Sequence, residues 1–358
     1  IVFSPPPPPP PPAPPPPPPP SPPPPPILRA AAALPLAPQS SSHDVVVTML
    51  GSLGIAVASR FMRSLRETGA RCALVLLLPS SAASAELRRL ADEFGAALYP
   101  FDKASEPYKS LRGNRDKLIR YHLAAEYLRR ERARHAAGRV LLIDSRDVIF
   151  QRDPFTIDAD AARPLDVFME DYLRNYSNSG INRQHVVPCF GEAAVKRVLL
   201  SPARAVSCSG VTLGSHAAVL RYLGAMWAEI RQPRYSAGCL QHDQAFHNWL
   251  LWTGGLGAGV RALSNEEGPV TSIGWPQHLY RDRMGRVLNR RGDVVHIVHQ
   301  YDRRKRLQST IGRRYDMVKN PEPAPRNLAP LDTTAAFAKL AASGNWPRAG
   351  PRQWTPQG

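Results

Sequence analysis

A chain of 358 residues has room for one large or two small domains, but 22 of its 39 prolines crowd into the first forty residues, so those residues cannot join a core. The formal charge of +17 comes from basic residues spread along the chain with no known nucleic-acid module among them. A nucleic-acid partner is therefore not expected, whereas phosphorylated small molecules or an acidic polysaccharide suit such a charge.

Residues 1–42 read as a disordered stalk. Runs such as Pro5–Pro12 and Pro14–Pro20 lack backbone donors and fix φ, which favours an extended polyproline helix. This segment resembles the Ser-Pro-rich modules of plant and algal cell-wall glycoproteins. Residues 43–320 have the composition of one folded domain, and about 280 residues bury a substantial core. Residues 321–358 return to Pro, Ala and Gly, with a short helix expected near Thr333–Ala342. The chain begins with Ile1 rather than Met and reads as a fragment, from which a targeting or membrane-anchoring segment could be missing. No apolar run reaches the roughly 18–20 residues that span a bilayer. The four cysteines form no CxxC pair, which argues against structural zinc. Cys72 reads as a buried thiol, and Cys189, Cys208 and Cys239 include one disulfide if the compartment is oxidising. Asn175-Tyr176-Ser177 is a glycosylation sequon of the kind that also occurs by chance.

Strands and helices alternate through the first half. Asp44–Leu50 is a buried strand, followed by a helix through Arg60–Thr68 and a second strand at Cys72–Leu78. A helix over Ala85–Phe94 aligns Leu87, Leu90, Ala91 and Phe94 on one face. Ala96–Phe101 is a third strand, Arg115–Arg134 a longer helix, and Val140–Ile143 a short, fully apolar strand. This order predicts an α/β fold with a mostly parallel central sheet flanked by helices, and ligands at the carboxyl ends of its strands. The second half is mixed: strands near Val167–Glu170, Gly210–Leu213 and Val294–Val298, with helices at His216–Ile230 and Gln241–Trp252.

The segment LLIDSRDVIFQRDPF, Leu141 to Phe155, carries the chemistry. Inside the apolar strand a carboxylate would cost several kcal/mol of desolvation. At its exit Asp144 and Asp147, three residues apart, turn toward one point and present oxygens suited to a hard cation such as Mg²⁺ or Mn²⁺. The plainer alternative is a turn cap and an ion pair with Arg146 or Arg152, and Asp153-Pro154 is an ordinary turn signal. Phosphatases of the haloacid dehalogenase type space their two aspartates two apart with a Thr following, unlike Asp144, Asp147 and Val148.

The same segment resembles the metal-binding stretch of GT-A-fold nucleotide-sugar glycosyltransferases, where a strand ends in a DxD-like motif before V-h-F-x-x-D-P. Asp147 matches the second aspartate, Ser145 falls where the first usually lies, and Asp144 is one residue earlier. Ligation by Asp144, directly or through a water, is what the match implies. VTML and FMRSLRETG are similar to that family's first nucleotide-side strand and helix, which puts Thr48 beside the donor. CSGVTLGS (Cys208–Ser215) is similar to its acceptor-side loop, with Cys208 replacing an Asn, and QHDQAFHNWL (Gln241–Leu250) to its late DQ helix. The resemblance spans about Val45–Arg303 and implies a Rossmann-type nucleotide half, a mixed acceptor half and a Golgi or secretory location.

Lys117 and Arg120, one helical turn apart before the metal strand, are candidate diphosphate clamps, though each alone also fits a solvated basic face. Gly210 and Gly214 permit close backbone approach to a sugar or simply form turns. Asp243 caps a helix, binds sugar hydroxyls, or acts as base or nucleophile, with Gln244 as its hydrogen-bonding partner. His296 and His299 have odd spacing on a strand, so at most one enters the site. The family places a third metal ligand where His299 stands. His242 and His247 miss the one-face spacing of a zinc pair and read as structural, and Trp249, Trp252 and Trp275 as core, Trp275 in a loop.

These residues describe an enzyme that uses Mn²⁺ or Mg²⁺ and a nucleoside-diphosphate sugar to glycosylate a glycan or glycoprotein hydroxyl. A non-catalytic wall or carbohydrate-binding protein with a polyproline arm, and a metal-dependent phosphohydrolase, are the competing readings.

Overall fold

The computed structural model describes residues 40–315 apart from 172–174, 202–203 and 275–278. Residues 1–39 of the proline-rich stalk, the tail helix expected near Thr333–Ala342 and Trp275 all lie outside the described residues. Ser40 is already buried, its backbone N–H donating to Asp153 Oδ2 at 2.9 Å, so chain just ahead of residue 43 packs on the body.

Chain order begins β1 (Val45–Met49), α1 (Ile55–Glu67), β2 (Ala73–Pro79), α2 (Ala85–Glu93), β3 (Ala96–Phe101), α3 (Arg115–Arg130), α4 (Arg132–His135) and β4 (Arg139–Asp144). It continues with β5 (Val148–Phe150), β6 (Leu165–Met169), α5 (Gly180–Phe190), α6 (Glu192–Val195), β7 (Ser207–Ser215), α7 (His216–Ile230) and α8 (Asp243–Trp252). Last come β8 (Val260–Leu263), β9 (Val270–Ser272), the hairpin β10 (Tyr280–Arg281) and β11 (Val287–Leu288), β12 (Ile297–His299) and α9 (Lys305–Tyr315). None of the helices among the described residues is long and apolar enough to cross a membrane.

The central sheet has the order β3-β2-β1-β4-β7-β6-β8. Its first four strands are parallel, β7 runs antiparallel to both β4 and β6, and β6 is parallel to β8. The fold is thus α/β with a mostly parallel sheet flanked by helices. Alternation along β1 sorts its valines by face: Val45 and Val47 pack with α3 and α7, while Val46 packs with Ala58, Phe61, Met62 and Leu65 of α1. Truncating a wholly buried ring such as Phe61 to Ala would cost about 3–5 kcal/mol.

Winding reverses at β1, because β2 lies on one side of it and β4 on the other. Such a reversal opens a crevice at the strands' carboxyl ends. β4 does not continue past Asp144. The chain turns, and β5 leaves to form a second sheet, β5-β12-β9, in which β12 is antiparallel to β5 and parallel to β9. Helix caps aim the elements around this crevice: Asn114 Oδ1 accepts the Lys117 N–H at the start of α3, and Ser215 Oγ accepts the Ala218 N–H at the start of α7.

Several elements differ from the sequence expectation: α1 starts at Ile55, ahead of the helix read through Arg60–Thr68, and β7 extends beyond Gly210–Leu213 at both ends. The helix read over Arg115–Arg134 breaks at Glu131 into α3 and α4. The late strand read at Val294–Val298 starts later and reaches His299. Helix α5, with Pro188 in its interior, has no counterpart among the elements expected from the sequence.

Candidate functional site

The crevice is a cleft of about 650 Å³, within the range of small-molecule sites. Met49–Leu53 after β1, Asp144–Asp147 after β4, the start of α3, part of α5, the start of β7, the start of α8 and His299–Gln300 line it.

Register explains why distant residues converge. Met49 pairs with Asp144 across β1 and β4, and Ser145 Oγ donates to Met49 O at 2.9 Å, which pins the turn. β5 starts one residue past Asp147, and its Val148 stands opposite His299 on β12. His299 Nε2 therefore lies 3.6 Å from Asp144 Oδ2 and 3.5 Å from Asp147 Oδ1. Ligand atoms of the three residues lie within 4.8 Å of one another. On its other side His299 Nδ1 is 3.3 Å from Ser272 Oγ and 3.4 Å from Cys208 Sγ, which turns Nε2 toward the carboxylates.

The electrostatics of this corner favour a cation. Burial alone would push the His299 imidazole down, but Cys208, Asp144 and Asp147 raise it well above its ordinary value. Burial also works against the charge on Asp144, yet Arg120 and His299 hold that carboxyl well below the usual range. Asp147, likewise buried, is held down chiefly by His299. Two carboxylate oxygens and an imidazole nitrogen form a donor set suited to Mn²⁺ or Mg²⁺, so the residues fit such an ion. Gly210 leaves the room: a Cβ there would meet His299 Cε1 and Asp144 Oδ2 at under 3 Å.

Arg120 stands differently from a phosphate clamp. Its guanidinium donates to Asp144 Oδ1, Asp243 Oδ2, Tyr121 OH and Ser209 O, so it faces inward and ties the metal corner to α8. The reason is position: one turn into α3 the side chain meets the buried Asp243 and the half-buried Asp144 before open cleft. Lys117, a turn earlier, is exposed on the rim and lines the cleft. Asp243 is the first residue of α8 and makes no capping bond; its Oδ2 also accepts from Tyr121 OH at 2.9 Å. Gln244 Nε2 donates to Glu170 Oε1 at 3.0 Å and Asn182 Oδ1 at 3.2 Å.

The structure thus brings Lys117, Arg120, Asp144, Ser145, Asp147, Gly210, Asp243, Gln244 and His299 to one cleft. Thr48 and Gly214 stay in the sheet. Thr48 is buried in mid-strand beside Leu76 and Ile143. Gly214 pairs with Val140 and packs against Pro164, because antiparallel β7 carries its far end roughly 13 Å from Gly210. His296 bonds Thr156 Oγ1 outside the cleft, as the spacing from His299 requires.

Sequence reasoning missed Glu170, Asn182, His185 and Gln300 on the cleft wall, and read His242 as structural, whereas it lines the cleft. His247 is the buried one, bonded to Tyr222 OH and Ser207 Oγ. Gln300, directly after His299, holds a left-handed φ of 60°, a conformation uncommon outside glycine. Asn182 and His185 ride on α5, a helix that was not among the elements read from the sequence. Cys189 of α5 forms a disulfide with Cys239 just before α8, while Cys72 and Cys208 are buried free thiols. Trp249 stacks on Phe190 at 4.1 Å, and Trp252 Nε1 donates to Ala205 O.

No protein-family model and no curated protein sequence matches the chain. Among solved structures, the chain is similar to the galactosyltransferase LgtC in complex with donor and acceptor sugar analogs, at 17% identity and a TM-score of 0.45 over 87% of this chain and 98% of that one. It is also similar to the glycosyltransferase GlyE of Streptococcus pneumoniae TIGR4, at 16% identity and a TM-score of 0.34 over 61% of this chain and 44% of that one.

Proposed function

We propose that this protein is a metal-dependent glycosyltransferase of the GT-A type, moving a hexosyl or pentosyl unit from a nucleoside-diphosphate sugar to a hydroxyl of a glycan or glycoprotein. The observation that carries the reading is the convergence of Asp144, Asp147 and His299 at the winding reversal of the sheet, inside a cleft of ligand size. Those three residues would hold Mn²⁺ or Mg²⁺. When bound, the ion supplies positive charge that offsets the charge developing on a departing diphosphate.

The remaining work falls to the chain's own groups. Lys117 stands on the rim as a mobile cation for the diphosphate. Arg120 and Tyr121 fix Asp243 through one carboxylate oxygen, which leaves Oδ1 to accept a hydrogen bond from a donor-sugar hydroxyl. Glu170 and Asn182 orient the Gln244 amide beside it. Transfer breaks the bond between the anomeric carbon and the diphosphate oxygen and makes one to the acceptor oxygen. The Cys189–Cys239 disulfide supports an oxidising, secretory location such as the Golgi.

A panel of nucleotide sugars with Mn²⁺, or with EDTA, tests this through nucleotide release and thermal shift. One donor should stabilise the protein and release its nucleotide only with the ion present, and Asp147→Asn should abolish both effects. Release of phosphate from generic esters, or glycan binding indifferent to EDTA and nucleotide, would sink the assignment.

A further inference from the structure

Most histidines of the body are spent on internal hydrogen bonds. His135 bonds His43 O and Tyr127 OH, His216 bonds Leu128 O, and His247 uses both ring nitrogens. His185 and His242 differ. Their rings stack at 3.6 Å between centroids and 14° between planes, half-buried on the cleft wall. Among the described residues none of their ring nitrogens has a hydrogen-bond partner. Ile181, four residues before His185 on α5, also lines the cleft and is 47% exposed, one of two large hydrophobics so displayed among the described residues.

We propose that His185 and His242, with Ile181, form the subsite that holds a neutral glycan acceptor by its vicinal hydroxyls. The inference rests on the transferase reading above and assigns this wall to the acceptor. A neutral imidazole offers one donor and one acceptor, and so does each sugar hydroxyl. Burial, with His242 and Lys117 nearby, pushes His185 down to about 4, so the ring is uncharged near neutral pH. Ile181, one turn along the same helix, offers an apolar contact to a sugar's C–H face.

The wall is held firm for this task. The Cys189–Cys239 disulfide joins α5 to the chain entering α8, four residues from His185 and three from His242. Gln244 Nε2 bonds Asn182 Oδ1 across the same pair of helices. The metal corner is built from other elements, at the exits of β4 and β12.

The test uses methyl glycosides of glucose, galactose, arabinose and xylose, with methyl galacturonide as an anionic probe. Saturation-transfer NMR without donor reads the subsite directly: a neutral glycoside should show transfer with the native protein and lose it in His185→Ala and His242→Ala. In turnover with the donor found above, the same variants should raise that glycoside's KM at least about tenfold while the donor KM moves far less. Ile181→Ser should raise it more modestly. Transfer by no neutral glycoside, binding confined to the galacturonide, or an unchanged glycoside KM in both histidine variants overturns the subsite. Absence of metal-dependent donor hydrolysis in the native protein strikes the transferase reading instead, and the NMR result then stands alone on whether the wall binds sugar.

Discussion

Gly210 and His299 meet where Gly210 lacks a side chain: a Cβ at that position would lie 2.5 Å from His299 Cε1 and 2.7 Å from Asp144 Oδ2. One methyl group thus competes with two of the three candidate ligands. Gly210→Ala is expected to displace one of them, weakening Mn²⁺ binding at least about tenfold. Overpacking of this kind should also cost about 1–3 kcal/mol of stability. Calorimetric Mn²⁺ titration beside a urea melt checks both, and native affinity in the alanine variant would show that His299 has room elsewhere.

Arg120 supplies the second prediction. It is the cation shared by Asp144 and Asp243, whose side chains sit 35% and 9% exposed. Arg120→Met leaves both carboxylates without their guanidinium and is expected to destabilise the fold by about 3–5 kcal/mol, because an uncompensated buried charge costs more than the pair contributed. Loss of only a few tenths in a denaturant titration would mean that the two aspartates find water or other partners.

How much of this was legible in the sequence depended on range. Strands β1, β2 and β4 could be read because each is apolar and buried on both faces, a signal local to five to seven residues. Asp144 and Asp147 could be read as a pair from their place at a strand exit. The grip of His299 on that pair came from the family resemblance alone and not from its own neighbourhood, since it depends on β5 leaving one sheet to pair with β12 about 150 residues later. Gly214 was misplaced for a similar reason: the direction of β7 decides which of its ends faces the cleft, and direction is a tertiary fact. His185 went unseen because α5, interrupted by Pro188, was not among the elements read from the sequence.

Reducing the Cys189–Cys239 bond should weaken the wall that carries His185 and His242. The bond closes a loop of 50 residues, for which the chain-entropy argument gives about 4 kcal/mol. Dithiothreitol is therefore expected to lower the thermal midpoint by several degrees. Alkylation after unfolding, read by mass spectrometry, should label two more cysteines in the reduced protein than in the oxidised one, Cys72 and Cys208 being free thiols in both. An unchanged melt after complete reduction would remove the disulfide from the account of this wall.

The last prediction concerns acid. Burial pushes His247 and His296 down to about 4, from an ordinary value of 6.5, with Arg152 adding to the effect at His296. The unfolded chain therefore binds protons at these sites before the folded one does. Their contribution to stability is complete above about pH 6.5 and is lost as pH falls toward 4, at most about 3 kcal/mol for each. Asp144 and Asp147 are held below their ordinary value of 3.8, so their contribution is present above that value and disappears only in stronger acid. The two windows separate. Urea midpoints should decline between pH 6.5 and 4 and again below 4, and His296→Gln should flatten the first decline while leaving the second. An identical slope in the His296→Gln variant would show that its imidazole takes up no proton on unfolding, and would move the cause of the first decline to His247 and the cleft histidines.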